Sequence, residues 1–581
     1  MSKVIQIDTE NAEMQKVLQL VQYTNHSLFL TGKAGTGKST LLRYICETTK
    51  KKHVVLAPTG IAAINVGGST LHSFFKLPFH PLLPNDVRFS ERNIRDALKY
   101  TGEKRKIIRE VELIIIDEIS MVRADIIDFI DKVLRIYTRN RYAPFGGKQM
   151  LFVGDIFQLE PVVRDEDRQL LHPWYPSQFF FDAKIFQTMS LVSIELTKVY
   201  RQEDKNFISL LDHIRTNQVT NSELALLNQR VGKSAEKEEG LSITLSTRRN
   251  TVDYINEQHL NELPGEVTIL HGTLEGEFPT TSLPTLMDLE VKVGAQVIFV
   301  KNDMERRWVN GTLGTITMID SDDDGEEILT VRTDNNEEYE VSRDIWSNMR
   351  YTFNEQEEKI EEEEIGRFIQ FPIRLAWAIT VHKSQGLTFR HVNIDLSGGA
   401  FAGGQTYVAL SRCQSLEGIC LKEPIRYSDI FVRSEVVRFS RSYNDERAIN
   451  AALEESMADK EYHEAVTALD RGDADAFLDN FFKAIHHRYD IEKPVVKRFI
   501  RRKINQLLLL REENRQLRDA AAGRSDFLQR LAAEYTLMGK DCEREGMPDA
   551  AIANYRKALE LWPDAKEPQR RIKKLKRPNK N

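Results

Sequence analysis

The stretch from Ser27 to Thr48, SLFLTGKAGTGKSTLLRYICET, decides the fold of this chain. The short apolar run SLFLT comes before the loop GKAGTGKST, and a run with helical spacing follows it. Strand, glycine-rich loop and helix in this order are the setting in which the pattern G-x-x-x-x-G-K-[ST] binds nucleotide phosphates. Backbone N–H groups of such a loop and the N-terminus of the helix surround the phosphates. The stretch therefore predicts a nucleotide site on an α/β sheet.

The predicted phosphate loop also supplies side chains. Lys38 is expected to neutralise the β- and γ-phosphate oxygens, and the Ser39 hydroxyl is expected to ligate magnesium. We therefore expect ATP and magnesium as cofactors. The loop residues predicted to bind them are Gly32, Ala34, Gly35, Thr36, Gly37, Lys38, Ser39 and Thr40.

Apolar runs further along the chain predict two α/β domains. HVVLA, ELIIID, QMLFVGD and SIEL follow SLFLT as far as Leu196, and such runs are typical of strands buried on both faces of a parallel sheet. A second series predicts a second α/β domain: ITLST, GAQVIFV, LAWAIT and HVNIDL. Within it, β-rich runs between Thr312 and about Ser342 are separated by Asp-Gly and Asn-Asn turns, which predicts a small inserted antiparallel barrel. The acidic run NEQEEKIEEEE, which ends at Glu364, is predicted to be a solvated loop or edge.

Two further segments carry the chemistry that a phosphate loop requires. ELIIIDEIS predicts a buried strand that ends in two carboxylates, Asp117 and Glu118. Asp117 is expected to hold magnesium through water, and Glu118 is expected to accept the proton of the attacking water. In VGDIFQLEPV, Gln158 follows another apolar strand and is placed to sense the γ-phosphate. These elements predict a nucleoside triphosphatase.

Composition limits the alternatives. The 581 residues suggest several domains, and 81 Lys+Arg against 87 Asp+Glu give a net charge of −6, so nucleic-acid binding requires a local groove. The 4 cysteines form no C-x-x-C pair, which argues against a zinc ribbon, an iron–sulfur cluster or a disulfide framework. The sequence shows no signal peptide or membrane-spanning stretch. We expect a cytoplasmic protein, associated with the nucleoid in a bacterium, or a nuclear one in a eukaryote.

Beyond about Arg441 the chain is rich in Ala, Leu, Glu and Arg at helical spacing. Small residues and a proline in the segment 533–565 match the tetratricopeptide pattern: Gly539, Gly546, Ala551, Tyr555, Ala558 and Pro563. Gly472, Phe481 and Ala484 repeat part of that spacing. The alternative is a simple helical hairpin bundle. A repeat would favour a protein partner, whereas five cations between Lys497 and Lys503 either form a solvated helix face or reach displaced DNA.

Six ordered segments resemble the successive motifs of Pif-type DNA helicases of superfamily one, which stand beside the RecD-like helicases. They are APTGIAAINVGGSTLHSFF from Ala57, DEISMVRAD from Asp117, FGGKQMLFVGDIFQLEPVV from Phe145, LTKVYRQEDKNFISLLDHIR from Leu196, TVHKSQGLTF from Thr380 and YVALSRCQSLEGI from Tyr407. The resemblance covers about the first 435 residues. It implies two RecA-like domains with ATP between them and five-prime to three-prime movement on single-stranded DNA, in processes such as replication, repair and telomere maintenance.

The resemblance also implies roles for single residues. Gln15 stands where the family reads adenine, and Gly386 lies in a motif beside the nucleotide. Arg201 and Arg412 match the two arginines that the second domain presents to the γ-phosphate, where planar cations stabilise the transferring phosphoryl group. The residues in segments that touch DNA in the family are Pro58, Thr59, Gly60, Thr70, His72, Thr380, His382, Lys383 and Ser384. Phe79 and His80 stand where the family places its strand-separating wedge.

The predicted architecture is α/β with an all-α C-terminal region. The first RecA-like domain is predicted at 1–190, with a wedge insertion near 76–100. The second is predicted at 191–311 and 367–440, with the small β subdomain at 312–366 and the helical region at 441–581. We expect a monomeric motor, no membrane and a possible protein partner at the C-terminal helices. Two alternatives stay open: an RNA-directed motor, since a 2′-OH preference cannot be seen in motifs, and a nucleotide-dependent interaction protein acting through those helices.

Overall fold

The structure is a computed structural model. It describes residues 7–78, 80–200, 204–233, 241–305, 307–321, 327–357, 359–400, 402–488, 492 and 494–576. The chain divides into two compact units, Met1–Ala484 and Ile485–Asn581. The first unit contains two parallel sheets and several antiparallel strands, and the described part of the second is helical. None of the helices among these residues is long and apolar enough to cross a membrane.

The first domain is built on six parallel strands in the order β3-β2-β4-β5-β1-β6. These strands are β1 (Leu28–Gly32), β2 (His53–Ala57), β3 (Ser69–Thr70), β4 (Leu113–Ile116), β5 (Gln149–Val153) and β6 (Val192–Leu196). The accompanying helices are α1 (Ala12–Tyr23), α2 (Lys38–Thr48), α3 (Gly60–Asn65), α4 (Leu71–Phe75), α5 (Ile94–Leu98), α6 (Gly102–Glu110), α7 (Ala124–Thr138) and α8 (Asp165–Leu171). Every predicted strand of this sheet is present. Because β6 pairs with β1, the first domain extends beyond the boundary predicted at residue 190.

The second domain has a smaller parallel sheet in the order β18-β7-β19-β20. Its strands are β7 (Ser242–Ser246), β18 (Ala378–Thr380), β19 (His391–Asp395) and β20 (Ile419–Leu421). Its helices are α9 (Lys205–Arg215), α10 (Asn221–Asn228), α11 (Arg249–Glu262) and α12 (Gln405–Leu410). The carboxyl ends of β7, β18 and β19 form one edge, as expected for parallel strands, and the turn after β18 faces the first domain through Gln385.

The antiparallel part is larger than predicted. It comprises β8 (Thr268–His271), β9 (Thr273–Gly276), β10 (Asp288–Val291), β11 (Gln296–Phe299), β12 (Leu313–Ser321), β13 (Glu327–Thr333), β14 (Glu338–Val341), β15 (Asp344–Asn354), β16 (Lys359–Gln370) and β17 (Ile373–Leu375). The assignment of GAQVIFV to the α/β sheet is wrong, because β11 lies between β12 and β17 and pairs antiparallel with both. A short apolar run looks the same in either kind of sheet, so the inserted region begins well before residue 312.

The acidic run forms a strand and not a loop. Glu361–Glu364 belong to β16, which pairs with β15 along its length and with β9 only from Gly366 to Ile369. The acidic half is therefore an edge with exposed carboxylates, and Arg350 on β15 pairs with Glu363 at 2.8 Å. Cross-strand pairs of opposite charge of this kind stabilise a hairpin and offset repulsion within the run.

The β15–β16 hairpin contacts the first domain through Tyr351. The Tyr351 hydroxyl accepts a hydrogen bond from the backbone N–H of Val55 at 2.9 Å and donates to the Val55 carbonyl at 3.1 Å. Both groups lie on β2, whose neighbour β3 pairs only with Leu56 and Ala57. The tyrosine thus satisfies backbone groups that the short strand β3 does not reach.

The remaining helices are α13 (Ser434–Ser440), α14 (Glu446–Arg471), α15 (Ala474–His487), α16 (Pro494–Arg544), α17 (Pro548–Leu561) and α18 (Lys566–Leu575). The helical region predicted to begin at 441 is not separate at its start, because α14 packs on α1 and buries Ile449 and Ala452 in the core of the first domain. In the second unit, α16 and α17 form a hairpin in which a Cβ on Gly539 would lie 2.5 Å from the Tyr555 ring. One such hairpin fits either a tetratricopeptide repeat or a plain helical bundle.

Candidate nucleotide and nucleic-acid sites

The phosphate loop between β1 and α2 depends on glycine at three positions. Gly35 and Gly37 have φ values of 80° and 85°, in the left-handed region that suits glycine. A Cβ on Gly32 would lie 2.6 Å from Thr36 Oγ1 and 2.8 Å from the Leu196 carbonyl oxygen. The loop therefore closes tightly over the strand end, and its N–H groups precede a helix of 11 residues.

Lys38 already points into this loop. Its ammonium donates to the carbonyls of Gly32 at 2.7 Å and Lys33 at 2.9 Å. Burial lowers the pKa of Lys38, although the carboxylates of Asp155 and Glu118 oppose that shift. The ammonium is thus held where phosphate oxygens can replace the two carbonyls as acceptors.

A cavity of about 420 Å³ lies over the loop, between the two domains. It brings together most of the predicted nucleotide residues: Ala34, Gly35, Thr36, Gly37, Lys38, Ser39, Thr40, Asp117, Glu118, Gln158, Gly386 and Arg412. Gly32 underlies the loop and is not part of the lining. The lining also includes Asp155, which follows the same apolar strand as Gln158, and residues that the sequence did not single out: Ile7, Asp8, Met14, Tyr200 and Gln385.

Asp117 and Glu118 follow β4 at the floor of the cavity. Glu118 has a φ of 50°, an uncommon value for a residue with a side chain, and its N–H donates to Asp117 Oδ1 at 2.9 Å. Both carboxylates are partly exposed at the cavity wall, yet loss of water contact raises both pKa values. Burial, assisted by the negative charge of Asp117, raises the pKa of Glu118 to about 7. Such a value suits a group that accepts a proton near neutral pH.

Gln385 joins the second domain to these groups. Its side-chain amide donates to Glu118 Oε2 at 2.9 Å and to Gln158 Oε1 at 3.2 Å. The Gln158 amide in turn donates to Asp155 Oδ2 at 3.3 Å. Sequence reasoning missed Gln385, although it lies in the quoted motif TVHKSQGLTF and is the last polar side chain before Gly386.

Arg215 and Asp155 form a buried ion pair behind this chain of contacts. Their closest atoms are 3.0 Å apart, and Arg215 also pairs with Glu195 at 3.1 Å. The guanidinium lies 4.3 Å from the centre of the Phe157 ring. Asp155 is 1% exposed, and Arg215 gives this buried carboxylate an ionic partner. The pair was not predicted; Arg215 ends the quoted motif that begins at Leu196.

Arg412 lines the cavity but is only 1% exposed. Its guanidinium donates to the Val408 carbonyl at 2.9 Å and to Ser411 Oγ at 2.8 Å, with longer contacts to the carbonyls of Ser384 and Leu387. It therefore also fixes the turn that carries Gln385. Arg201, the other predicted arginine, lies outside the described residues.

The predicted adenine-reading residue does not reach the cavity. Gln15 is exposed on α1, and its amide donates to the Thr9 carbonyl at 3.2 Å. The neighbouring wall is formed instead by Asp8 and Tyr200, whose hydroxyl donates to Asp8 Oδ2 at 2.7 Å. The hydrogen bonds from Lys198 and Tyr200 lower the pKa of Asp8 to about 2. The assignment of Gln15 stays a prediction.

The predicted DNA-contact residues divide into two groups. Thr59 and Thr70 cap helices α3 and α4, accepting from the N–H groups of Ala62 and Ser73, so their hydroxyls are used locally. Ser384 is buried, and its hydroxyl donates to the Val381 carbonyl at 2.8 Å. The remaining positions are Pro58, Gly60, His72, Thr380 and His382, which are half-buried, and Lys383, which is exposed. Burial lowers the pKa of His72 and of His382, which favours neutral imidazoles.

A second cavity of about 80 Å³ lies beside these positions. Ile61, Ile64 and Asn65 line it from α3, while Trp346, Arg374 and Lys383 line it from the other side. Gln385 belongs to the walls of both cavities. The two cations between the domains suit the phosphate backbone of a single strand, while the Trp346 ring is buried against Phe368.

Of the two predicted wedge residues, Phe79 lies outside the described residues. The His80 ring contacts the Pro81 carbonyl at 2.9 Å and lies 6.3 Å from the Phe89 ring. The contacts of His80 are therefore with residues near it in the sequence, and one of them is aromatic.

Magnesium is the ion that this donor set fits. The Ser39 hydroxyl and the Asp117 carboxylate line the same cavity, and hard oxygen donors beside phosphates are what magnesium prefers. The raised pKa of Asp117 also indicates a carboxylate that a cation would stabilise.

Two parallel-sheet domains with a phosphate loop, paired carboxylates and an arginine at their interface define a nucleotide-hydrolysing motor of the two-domain kind. The family model described as PIF1-like helicase matches residues 7–226. The ATP-dependent DNA helicase PIF1 of Xenopus laevis is 31% identical over 474 residues, which cover 79% of this chain and 68% of that protein. The ATP-dependent DNA helicase Pif1 of Bdellovibrio bacteriovorus is 33% identical over 415 residues, covering 70% of this chain and 87% of that protein.

Solved structures of Pif1 helicases are also similar to this chain. A Bacteroides sp Pif1 in complex with ADP-AlF4 is 41% identical, with a TM-score of 0.68, and covers 75% of this chain and 97% of its own. The Bacteroides Pif1 bound to ssDNA is also 41% identical, with a TM-score of 0.55 and coverage of 76% of this chain and 98% of its own. The chain belongs to the PIF1-like helicase family.

Proposed function

We propose that this chain couples ATP hydrolysis, in the cavity over the phosphate loop, to five-prime to three-prime movement along single-stranded DNA, and so unwinds duplex or structured DNA. Membership of the family makes the chain an ATP-dependent DNA helicase. The direction of movement, the residue roles and the strand contacts are our inference. The observation that carries it is Gln385, which lines both the nucleotide cavity and the second cavity.

Hydrolysis would use the groups at the floor of the first cavity. Lys38 would exchange its two loop carbonyls for phosphate oxygens, and Glu118 would take the proton of the attacking water. Arg412, with Arg201, would stabilise charge on the transferring phosphoryl group. Ser39 and Asp117 would hold magnesium, which when bound screens the phosphate charge.

Coupling would run through the Gln385 side chain. Its amide now donates hydrogen bonds to both Glu118 and Gln158. A phosphate group near Gln158 would therefore change which hydrogen bonds Gln385 can make. Gln385 lies in the same turn as His382 and Lys383, two of the proposed strand contacts. Hydrolysis would therefore alter the hydrogen bonds of Gln385, and this change would shift His382 and Lys383, which lie in the same turn. Coupling of this kind allows the two domains to open and close as the nucleotide changes.

The strand would lie between the domains, beside α3 and Lys383. Arg374 and Lys383 offer positive charge to the backbone. Trp346 is only 2% exposed and stacks on Phe368, so it supports this wall of the cavity. The backbone around Pro58, Thr59 and Gly60, with Thr70, His72, Thr380 and His382, would complete the contacts. Phe79 and His80 would meet the duplex. These contacts do not distinguish deoxyribose from ribose by themselves.

The described lining of the nucleotide cavity comes from a single chain, so we take one chain as the motor unit. A protein partner at the α16–α17 hairpin is proposed from its helical-repeat pattern alone. A protein that acts on DNA would work in the bacterial cytoplasm or the eukaryotic nucleus.

The test is ATP hydrolysis with and without matched single-stranded DNA or RNA, followed by unwinding of duplexes with a five-prime or a three-prime tail. We expect stimulation by DNA and unwinding from the five-prime tail alone. Stimulation by RNA alone would make the chain an RNA motor. Absence of stimulation by either, with retained partner binding, would favour a nucleotide-dependent interaction protein.

Lys38→Ala supplies the variant for the same assay. It should abolish hydrolysis and unwinding while single-stranded DNA binding is retained, because the ammonium contacts only the nucleotide loop. Lys50→Ala, at an exposed position after α2, is the matched control and should behave as the unaltered chain.

A further inference from the structure

The long helix α16 has a stretch that stays exposed within the described part of its unit. Every residue from Ile504 to Ala520 is exposed, and the stretch contributes to none of the hydrophobic clusters among the described residues. Four consecutive leucines lie in it, from Leu507 to Leu510, with exposed fractions between 51% and 65%. Leu517, further along, is 69% exposed.

Such a stretch is unfavourable when it stands alone. Helices of this length gain most of their stability from packing an apolar face, and a bare row of leucines leaves that gain unrealised. Five exposed leucines within three helical turns are also far more than scattered surface residues. The stretch is therefore incomplete without a partner helix.

The leucines follow a heptad pattern. With Leu507 at position a and Leu510 at position d, seven of the ten a and d positions between Ile500 and Leu531 are apolar. The next best register gives five of nine. The charged d residues Lys503 and Arg524 bound an apolar seam between them. A seam of this kind is the signature of a coiled coil.

Two features of the seam select its partner. Asn514 occupies position a between Leu510 and Leu517, and a single asparagine at a favours two parallel strands, in which the two amides face each other. In an antiparallel pair, a residues face d residues, so Asn514 would meet an apolar side chain. The asparagine thus points to an identical helix in register.

The flanking charges point the same way. Glu513 at position g would meet Arg518 at position e of a parallel copy, and neither carries a hydrogen bond or ion pair among the described residues. In an antiparallel pair the e positions would face each other and bring Arg511 against Arg518. The charges therefore complement a parallel second copy and repel the reverse arrangement.

We propose that α16 is the dimerisation element of this chain, and that a second copy covers the seam from Leu507 to Leu517 in a parallel two-stranded coiled coil. The proposal does not rest on the helicase function. It pairs two complete motors through their C-terminal units, a surface outside the matched family region at residues 7–226.

Sedimentation equilibrium of the full chain tests it. We expect a dimer mass with a dissociation constant on the order of micromolar, because the seam is short. Leu510→Asp, at a d position, should raise that constant at least about 100-fold, because it places an unpaired charge in the seam. Leu509→Asp is the matched control: it is equally exposed but lies at position c, and should leave the dimer intact. Helical content and the rate of ATP hydrolysis without DNA should be the same in both variants.

A charge exchange tests the parallel register. Glu513→Arg should weaken the dimer by bringing a second guanidinium against Arg518, and the double variant with Arg518→Glu should restore it. Asn514→Leu should permit states of higher order. A monomer mass for the unaltered chain at about 200 µM would overturn the proposal, since that is far above the expected constant. Equal dissociation by Leu509→Asp and Leu510→Asp, or failure of the charge exchange to restore the dimer, would overturn it as well.

Discussion

The side-chain amide of Gln385 donates to the carboxylate of Glu118 at 2.9 Å and links the second domain to the first across the nucleotide cavity. The same amide reaches Gln158 at 3.2 Å. One side chain thus contacts both the group expected to accept a proton and the group expected to sense the γ-phosphate.

Gln385→Ala should uncouple the two cavities. The substitution removes the contacts to Glu118 and Gln158 but leaves the phosphate loop intact, so basal hydrolysis should change by less than about tenfold while most of the stimulation by DNA is lost. The measurement is kcat for ATP with and without saturating single-stranded DNA. Gln356→Ala, on the exposed turn after β15, is the control. Equal loss of basal and stimulated rates would show that Gln385 acts only in the chemical step.

Glu118 should impose an acid limb on hydrolysis. Its pKa is raised to about 7, and a proton acceptor works only when ionised. The kcat/KM for ATP should therefore fall about tenfold for each pH unit well below 7. Glu118→Gln should lower kcat by about 10²–10⁴-fold while nucleotide binding is retained. A flat profile between pH 5.5 and pH 8, or near-normal hydrolysis by Glu118→Gln, would assign the acceptor role elsewhere.

The same shift makes a prediction about stability. The folded chain binds the Glu118 proton more tightly than the unfolded chain, whose pKa is near 4.5. The associated stability is present below pH 4.5 and is lost as the pH rises through 7. Glu118→Gln, which cannot ionise, should unfold at a higher temperature than the unaltered chain at pH 8, with a gain of about 1–3 kcal/mol. The two should converge near pH 4.5, and a difference that does not vary with pH would contradict the linkage.

Tyr351→Phe should weaken the contact between the hairpin and the first domain. It leaves the N–H and carbonyl of Val55 without their partner, which costs about 1–3 kcal/mol. The free energy of unfolding by urea measures the loss. Tyr339→Phe is the control, because that hydroxyl donates to the exposed Glu337. Hydrogen exchange at Val55 should rise in the first variant alone; unchanged exchange there would mean that the hydroxyl contributes nothing to this edge.

The sequence was most informative where one local pattern has one physical meaning. The strand before Asp117 could be predicted because a short apolar run, such as the four residues of β4, is typical of a parallel sheet with both faces covered. The phosphate loop could be predicted because its glycine and lysine pattern follows a strand and precedes a helix. β11 was assigned to the wrong sheet because a short apolar run, here Val297–Phe299, satisfies both kinds of pairing. Of the two alternatives for the acidic run, loop or edge, the edge is the one present, and composition could not decide between them because the partner strand β15 stabilises it.

The site could be predicted as a set of motifs but not as a set of contacts. Lys38, Asp117 and Glu118 come from one domain and follow strand ends, so their meeting was foreseeable. The bridge by Gln385 depends on how two domains approach each other, which no local pattern encodes. The same holds for Asp155, whose partner Arg215 lies 60 positions away on α9.

The short strand β3 has a consequence for solubility. Exposed N–H and C=O groups on a sheet edge are templates for adding strands from other molecules. At Val55, β2 pairs with β4 on one side but has no strand partner on the side of β3. Tyr351 occupies those groups, and the charged hairpin around it discourages intruding strands. Conditions that separate this hairpin from β2 should therefore favour self-association through the unpaired edge of β2. The negative charges of Glu361–Glu364 would oppose such aggregation by repelling an incoming strand.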